Sequence, residues 1–135
     1  MSRKKITGIN IQFPISRLIL SGDKTVETRT YPIPKNYINQ DLLMIETPGR
    51  EGKFEARGVC LVRFSECYQY KTQLSFRSEF HLHKVENGSQ WDWTSQKPKW
   101  GWKISKIVIL KSPIIIKKRK GIVFTKNLSI SSSAY

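Results

Sequence analysis

The stretch GDKTVETRTYPIP, residues 22–34, places three charged side chains within six positions and then ends at two prolines. Lys24, Glu27 and Arg29 carry the charges, while Val26 between them is a residue that favours burial. In an extended strand, side chains two positions apart share a face, so Glu27 and Arg29 point to one side and Val26 to the other. Two interpretations are open. The charges line a pocket, or they form an ion pair on a solvated edge strand.

The residues before this stretch predict a strand and a short helix. Residues 6–12, ITGINIQ, alternate apolar side chains as a strand does. Pro14 suits the first turn of a helix, and the following apolar residues recur at the three- to four-residue spacing of one helix face. Gly22 then favours a helix end, because the residue after a helix often adopts a left-handed conformation that glycine tolerates without strain.

The rest of the chain is dominated by strand patterns. The further predicted strands are residues 25–31, 41–47, 56–70, 100–113 and 122–130, and residues 71–99 predict a helix-plus-loop excursion. We therefore expect a mostly β protein with α additions (α+β), a β-barrel of about six strands with one or two short helices. Closure would remove exposed sheet edges. We expect one domain over residues 1–130 and a frayed tail over 131–135.

The charge balance is strongly basic. The 135 residues include 24 Lys and Arg against 10 Asp and Glu, which gives a net charge of +14. An excess of this size favours a polyanionic partner, either nucleic acid or an anionic surface. No apolar run approaches the roughly 20 residues that span a bilayer, so we expect no membrane segment. The absence of an apolar stretch after the basic N-terminus predicts no signal peptide, and the two cysteines fit a reducing cytoplasm.

Basic and aromatic residues are interleaved towards the C-terminal third. This composition is typical of single-stranded nucleic-acid binding, because phosphates attract cations and unstacked bases stack on aromatic rings. Tyr31 shares the face of Glu27 and Arg29 and is expected to stack on a base. The candidate nucleic-acid-binding residues are Lys24, Arg29, Tyr31, Trp100, Lys103, Lys117, Lys118, Arg119 and Lys120. The alternative is that the tryptophans of residues 100–113 belong to the core and that the basic run is a solvated turn.

A metal site is not expected. Cys60 and Cys67 are separated by a spacing that fits no zinc motif, and Cys60 is most simply a buried core residue. His81 and His83 are assigned to one face of a strand, without further ligands nearby in the sequence. No cofactor is expected either.

The stretch at residues 22–29, GDKTVETR, resembles the Gly-x-Lys-x-x-Glu-x-Arg pattern of the ASCH (activating signal cointegrator homology) domain, a member of the PUA-like barrels. Gly22, Lys24, Glu27 and Arg29 fill all four fixed positions. RGVCLVRFSECYQY resembles the Gly-Val central strand of that family, and WGWKISKIVILKSPIIIKKRKG resembles its Trp-rich strand and basic turn. The resemblance covers most of residues 6–128.

The resemblance implies a barrel with a cleft in which the motif charges face the ligand. Members are viewed chiefly as RNA-binding modules. One branch hydrolyses N4-acylated cytidines, and ribonuclease activity is attributed to another. In the amidohydrolase branch a lysine, a threonine three residues later and a distant glutamate carry the reaction. Here Glu27 stands in place of that threonine, and a carboxylate does not supply a hydroxyl nucleophile.

We therefore expect the partner to be RNA, another single-stranded nucleic acid or a nucleotide-like small molecule. An enzyme acting on RNA or modified nucleosides is the alternative, with Lys24, Glu27 and Arg29 as catalytic candidates. In that case Glu27 is a general base if burial raises its pKa, and Lys24 or Arg29 stabilises an oxyanion or a phosphate. The sequence indicates no oligomeric state.

Overall fold

The computed structural model describes residues 2–117 and 123–135. Within them, the strands are β1 (Arg3–Gln12), β2 (Val26–Arg29), β3 (Leu42–Thr47), β4 (Arg57–Tyr70), β5 (Lys99–Ile115) and β6 (Phe124–Ser131). The helices of the same residues are α1 (Ile15–Ser21), α2 (Gln73–Arg77) and α3 (Phe80–His83). Single 3-10 turns occupy Lys35–Tyr37 and Ser132–Ala134. The mostly β composition with short helical additions is therefore confirmed, with three helices where one or two were expected.

The strands form one mixed sheet in the order β2-β5-β4-β3-β1-β6. β1 and β3 are parallel, and the connection between them carries α1 and β2. Among the described residues, no ladder joins the edge strands β2 and β6, so the predicted closure into a barrel is wrong. β2 has four residues and is followed by Pro32 and Pro34, which have no N–H to donate to a further ladder.

The long antiparallel pair of β4 and β5 holds β2, the strand of Glu27 and Arg29, at the edge of β5. Its register runs from Arg57 opposite Ile115 to Tyr70 opposite Lys99. In the described part of the chain, β2 pairs only with the first part of β5, from Val26 opposite Lys103 to Arg29 opposite Trp100. The charged motif is therefore fixed against the Trp-rich start of β5.

The main core lies beneath this pairing. Trp102 is fully buried, packs edge-on against Phe64 at 5.6 Å between ring centroids, and donates its indole N–H to the carbonyl of Tyr31 (3.1 Å). Trp100 is half-buried and packs against the same core. The core alternative for the tryptophans of this strand therefore holds for Trp102.

α1 begins after Pro14 and ends at Gly22, as the sequence predicts. Gly22 has φ +86°, and its N–H donates to the carbonyl of Ile19 (3.1 Å). The chain then turns back at once, because the N–H of Lys24 donates to the carbonyl of Leu18 (2.9 Å). This tight helix end holds Lys24 against the last turn of α1, two residues before β2 begins.

The excursion over residues 71–99 contains α2 and α3. Thr72 and Ser75 form a capping box that begins α2. The predicted strand at His81 and His83 is wrong: both residues lie in α3, where the N–H of His83 donates to the carbonyl of Glu79 (3.1 Å). A two-residue spacing does not by itself distinguish a strand from one turn of helix. None of the helices in the described residues is long and apolar enough to cross a membrane.

The C-terminal residues meet the N-terminus. Ser131 is the last residue of β6, and the N–H of Ser132 donates to the carbonyl of Ser2 (3.1 Å). The division between a domain and a tail at residue 130 stays a prediction.

Candidate functional site

The three motif charges lie together. Nζ of Lys24 is 3.6 Å from Oε1 of Glu27, and Nη2 of Arg29 is 2.9 Å from Oε2 of the same carboxylate. Nε of Arg29 also donates to that Oε2 at 3.0 Å, so the guanidinium grips one oxygen through two N–H groups. Glu27 is therefore the shared counter-ion of two cations.

This cluster is buried, which excludes the solvated edge-strand interpretation. The exposed side-chain fractions are 3% for Lys24, 8% for Glu27 and 17% for Arg29. Backbone carbonyls complete the shell, since Lys24 Nζ donates to His83 (2.6 Å) and Arg29 Nη2 donates to Asn10 (2.9 Å). The charges have been removed from water and are compensated by one another and by peptide dipoles.

Burial and charge act in opposite directions on these groups. For Glu27, burial alone would raise the pKa, but Arg29 and Lys24 outweigh it and hold the pKa below its usual value. Burial lowers the pKa of Lys24 despite the opposing effect of Glu27. For Arg29, burial is outweighed by Glu27 and Tyr31, which raise the pKa of the guanidinium. The condition for Glu27 to act as a general base, a raised pKa, is not met.

The cluster opens onto a cavity of about 580 Å³. This volume falls within the range of roughly 300–1,000 Å³ that is common for small-molecule sites. The apolar part of its wall includes Ile11, Ile15, Leu18, Val85, Ile116 and Val123. The polar part of the lining includes the motif residues Lys24, Glu27 and Arg29, together with the buried His83 and Thr125.

Further charges line the cavity away from the motif. Lys84, Glu86 and Lys117 belong to its lining, together with the exposed ring of Trp91. Among the described lining residues, four carry a positive charge and two a negative one, so the net charge is +2. An uncharged ligand would leave this excess uncompensated, which favours an anionic ligand.

The predicted site residues separate into three groups. Lys24, Glu27, Arg29 and Lys117 line the cavity. Tyr31, Trp100 and Lys103 do not. The predicted Lys118, Arg119 and Lys120 lie outside the described residues.

The contacts of Tyr31 and Lys103 explain their separate positions. The Tyr31 hydroxyl accepts from Arg29 Nη1 (3.4 Å), and its ring packs edge-on against Trp102. Tyr31 therefore contacts Arg29 on the side of the cluster that faces away from the cavity lining. The side chain of Lys103 is 54% exposed and lies 3.9 Å from Glu66, beside a second hollow that also includes Glu79.

His83 positions residues 84–91, a part of the cavity wall that the sequence did not predict. Its Nδ1 accepts from the N–H of Val85 (3.0 Å), so Nε2 carries the proton and donates to the carbonyl of Phe76 (2.6 Å). Burial lowers the pKa of His83. The ring is therefore neutral and fixes the chain at the point where residues 84–91 begin to line the cavity.

Histidine, cysteine and carboxylate side chains are the residues that could hold a metal ion. Within residues 2–117 and 123–135, no three His, Cys, Asp or Glu side chains are grouped as metal ligands. Burial raises the pKa of the Cys60 thiol to about 12, with Glu46 adding to the shift, so this cysteine is an inert core residue.

No family model matches the chain, and no curated protein matches it significantly. Solved structures do match. The crystal structure of ASCH from Zymomonas mobilis aligns with 90% of this chain and 87% of its own, at a TM-score of 0.68 and 15% identity. The chain has the ASCH fold. Two mutants of the Zymomonas mobilis ASCH, with single Tyr-to-Phe and Ser-to-Ala substitutions, align over 97% and 96% of this chain and 94% and 91% of theirs, both at a TM-score of 0.68 and 14% identity.

This likeness concerns the fold. It agrees with the resemblance carried by Gly22, Lys24, Glu27 and Arg29, and the expectation of an ASCH fold is confirmed. The sheet order and the cavity described above are therefore those of an ASCH-fold protein that diverges strongly in sequence.

Proposed function

We propose that this ASCH-fold protein binds a nucleotide unit of RNA or another single-stranded nucleic acid in the cavity lined by Lys24, Glu27 and Arg29. The observation that carries the proposal is the buried charge cluster opening onto a cavity with a net charge of +2. A pocket that combines apolar walls with a few fixed polar groups is the usual form of a small-molecule or nucleotide site.

The polar groups match the chemistry of a nucleotide. The edge of a base presents both donors and acceptors, and the cluster supplies a carboxylate acceptor in Glu27 and cationic donors in Lys24 and Arg29. Phosphate oxygens are recognised by lysine and arginine, and Lys84 and Lys117 line the same cavity. The net charge of +14 would attract a polyanion before contact.

For an enzyme, fewer catalytic roles are open to the motif residues than the sequence suggested. Glu27 is held ionised by Arg29 and Lys24, which makes it a weak base. Burial lowers the pKa of Lys24 and so increases the share of the neutral amine, which is the form that removes a proton or attacks a carbonyl. If the cavity is catalytic, Lys24 is the candidate for the reacting group, and a binding assay that also scores cleavage separates the two functions.

The experiment measures binding of short single-stranded RNA and DNA by fluorescence anisotropy at several salt concentrations. Lys117→Glu should weaken binding of all sequences and should reduce the slope of log K against log salt by about 0.7 for one lost phosphate contact. Lys35→Glu is the matched control, because Lys35 is exposed and does not line the cavity while the change in net charge is the same.

Equal losses in the two variants would mean that only general charge attracts the polyanion, and the cavity proposal would fail. The proposal would also fail if the wild-type protein retained no oligonucleotide at physiological salt. Cleavage of RNA, or deacylation of N4-acetylcytidine, that disappears in Lys24→Met would replace binding by catalysis as the function.

A further inference from the structure

Trp91 differs from the other three tryptophans. Its side chain is exposed, at 43%, and it lines the cavity. Trp102 is fully buried, and Trp93 and Trp100 are half-buried. Trp93 also donates its indole N–H towards the carbonyl of Tyr70 (3.4 Å), so it anchors its segment to β4. Trp91 therefore presents an aromatic surface to the cavity that the core does not use.

The segment that carries Trp91 is tied down by Asp92. Its Oδ2 accepts from Nη2 of Arg77 (2.6 Å) and from the N–H of Gly88 (2.7 Å), and its Oδ1 accepts from the N–H of Trp93. Arg77, assisted by these backbone N–H groups, lowers the pKa of Asp92 to about 2, so the carboxylate is ionised at neutral pH. Hydrogen bonds to Asp92 thus hold the loop on both sides of Trp91, at Gly88 and at Trp93.

A backbone contact adds to this support. The N–H of Trp91 donates to Oγ of Ser89 (3.3 Å), and Gly88 adopts φ +79°, a conformation that glycine tolerates and that turns the chain. An aromatic ring on a pre-shaped support loses little entropy when a partner binds.

We propose that Trp91 is the base-stacking wall of the cavity, on which the base of the bound nucleotide lies while the cavity's cations take its phosphate and its polar edge. The inference rests on the proposed function and adds to it the residue that supplies stacking. Tyr31, which the sequence indicated for stacking, and Trp100, a further nucleic-acid-binding candidate, both pack against the core and do not line the cavity.

The chemistry of the lining favours a nucleotide base over a purely apolar ligand. Lys84 and Lys117 line the same cavity as Trp91, and the net charge of the lining is +2. A ligand that satisfies both features carries an aromatic face and a negative charge on one molecule. A nucleotide does so, and stacking on tryptophan is possible for every base because each has a π face.

The test compares wild type, Trp91→Ala and Trp91→Phe in binding a short single-stranded RNA and an abasic ribose-phosphate chain of the same length. Trp91→Ala should weaken RNA binding about tenfold, which corresponds to about 1.4 kcal/mol. Trp91→Phe should retain most of the affinity, because a ring is still present. The abasic chain should bind wild type and Trp91→Ala equally, since it has no base to stack.

Leu74→Ala is the matched control for loss of an exposed apolar side chain. Leu74 is 80% exposed and does not line the cavity, so this change should leave RNA binding unaltered. Intrinsic fluorescence provides a second measurement that does not depend on the alanine variant folding. RNA should quench the wild-type emission, and the quenched component should be missing in Trp91→Phe.

The outcomes distinguish the two proposals. If Lys117→Glu weakens RNA binding but Trp91→Ala does not, the stacking role is overturned and the cavity remains the binding site. If Trp91→Ala weakens binding of the abasic chain as much as binding of RNA, Trp91 only shapes the loop, and the stacking role is again overturned. A wild-type protein that binds no RNA overturns both.

Discussion

Two buried carboxylates of this protein have similar cationic partners but lie in different surroundings. Glu27 on β2 is paired with Lys24 and Arg29. Glu46 on β3, whose side chain is 0% exposed, is paired with Arg17 and Arg57, both at 3.0 Å. It also accepts from the hydroxyl of Ser16 at 2.6 Å. A list of ion pairs would treat the two sites as equivalent.

The difference lies in the cations and in the space beside them. At Glu46 the two arginines reach solvent, with side chains that are 51% and 24% exposed, and Glu46 does not line the cavity. At Glu27 the lysine is 3% exposed and the arginine 17% exposed, and both line the cavity of about 580 Å³. The Glu46 pairing joins α1 to β3 and β4, whereas the Glu27 pairing holds two desolvated cations where a ligand can reach them.

The comparison shows why a buried ion pair is weak evidence for a functional site. Pairing compensates the charges in both places, and the burial of Lys24 together with an adjoining cavity distinguishes the Glu27 site. The different surroundings of the two carboxylates should give substitutions at Glu27 and Glu46 effects of different size.

The largest effect is expected for Glu27→Gln. It leaves Lys24 and Arg29 buried without their counter-ion, which should lower the free energy of unfolding by about 3–5 kcal/mol. Urea denaturation measures this loss. Lys24→Met combined with Glu27→Gln should recover part of the stability, because one stranded charge is removed. The interpretation is wrong if the single variant is as stable as wild type.

A smaller effect is expected for Glu46→Gln. Arg17 and Arg57 can turn to water when their partner is neutral, so the loss should be about 1.5–3 kcal/mol, the range for a hydrogen bond to a charged group. RNA affinity of the folded variant should equal that of wild type. A change in affinity as large as that of Lys117→Glu would show that the Glu46 pairing also belongs to the site.

The smallest effect is expected from acid. The pKa of Glu27 is lower in the folded protein than its ordinary value of 4.5, so the unfolded chain binds a proton first as the pH falls. The stability that its charge contributes is full above pH 4.5 and is lost as the pH falls through the lower folded pKa. One group changes the free energy of unfolding by at most about 1.4 kcal/mol per pH unit.

Glu27→Gln tests this assignment. The stability difference between wild type and the variant should narrow as the pH falls below 4.5, because proton binding then favours the unfolded wild-type chain, whereas the amide that Glu27→Gln introduces does not titrate. A difference that stays constant from neutral to acidic pH would mean that the charge of Glu27 contributes nothing to stability.

Most of the secondary structure was predictable from the sequence because its signals are local. Gly22 ends α1 through its own backbone conformation, and β-branched and apolar runs mark strands such as β3 and β4. Closure of the sheet was predicted wrongly, since it depends on whether β2 and β6 meet. α2 and α3 were predicted only as an unspecified excursion, because their position depends on the packing of Phe76 against Tyr70 and His83, which no regular spacing of apolar residues marks.

The candidate site divides in the same way. Lys24, Glu27 and Arg29 were found because their spacing within one helix end and one strand brings them together. Lys84 and Trp91 were missed as cavity residues, since the polar segment around them has no periodicity that assigns a face. His83 was wrongly assigned to a strand for the same reason, although the hydrogen bonds of its imidazole with Phe76 and Val85 fix the start of that segment.

The sequence by itself determined the strongly basic character of this chain, its mostly β composition and the three charges after α1, because composition and short-range spacing are properties of neighbouring residues. Only the tertiary structure decided that those charges are buried, that the sheet stays open and that residues 84–91 complete a cavity. Burial and enclosure arise from contacts between segments far apart in the chain, such as Lys24 with the carbonyl of His83, and no local pattern encodes them.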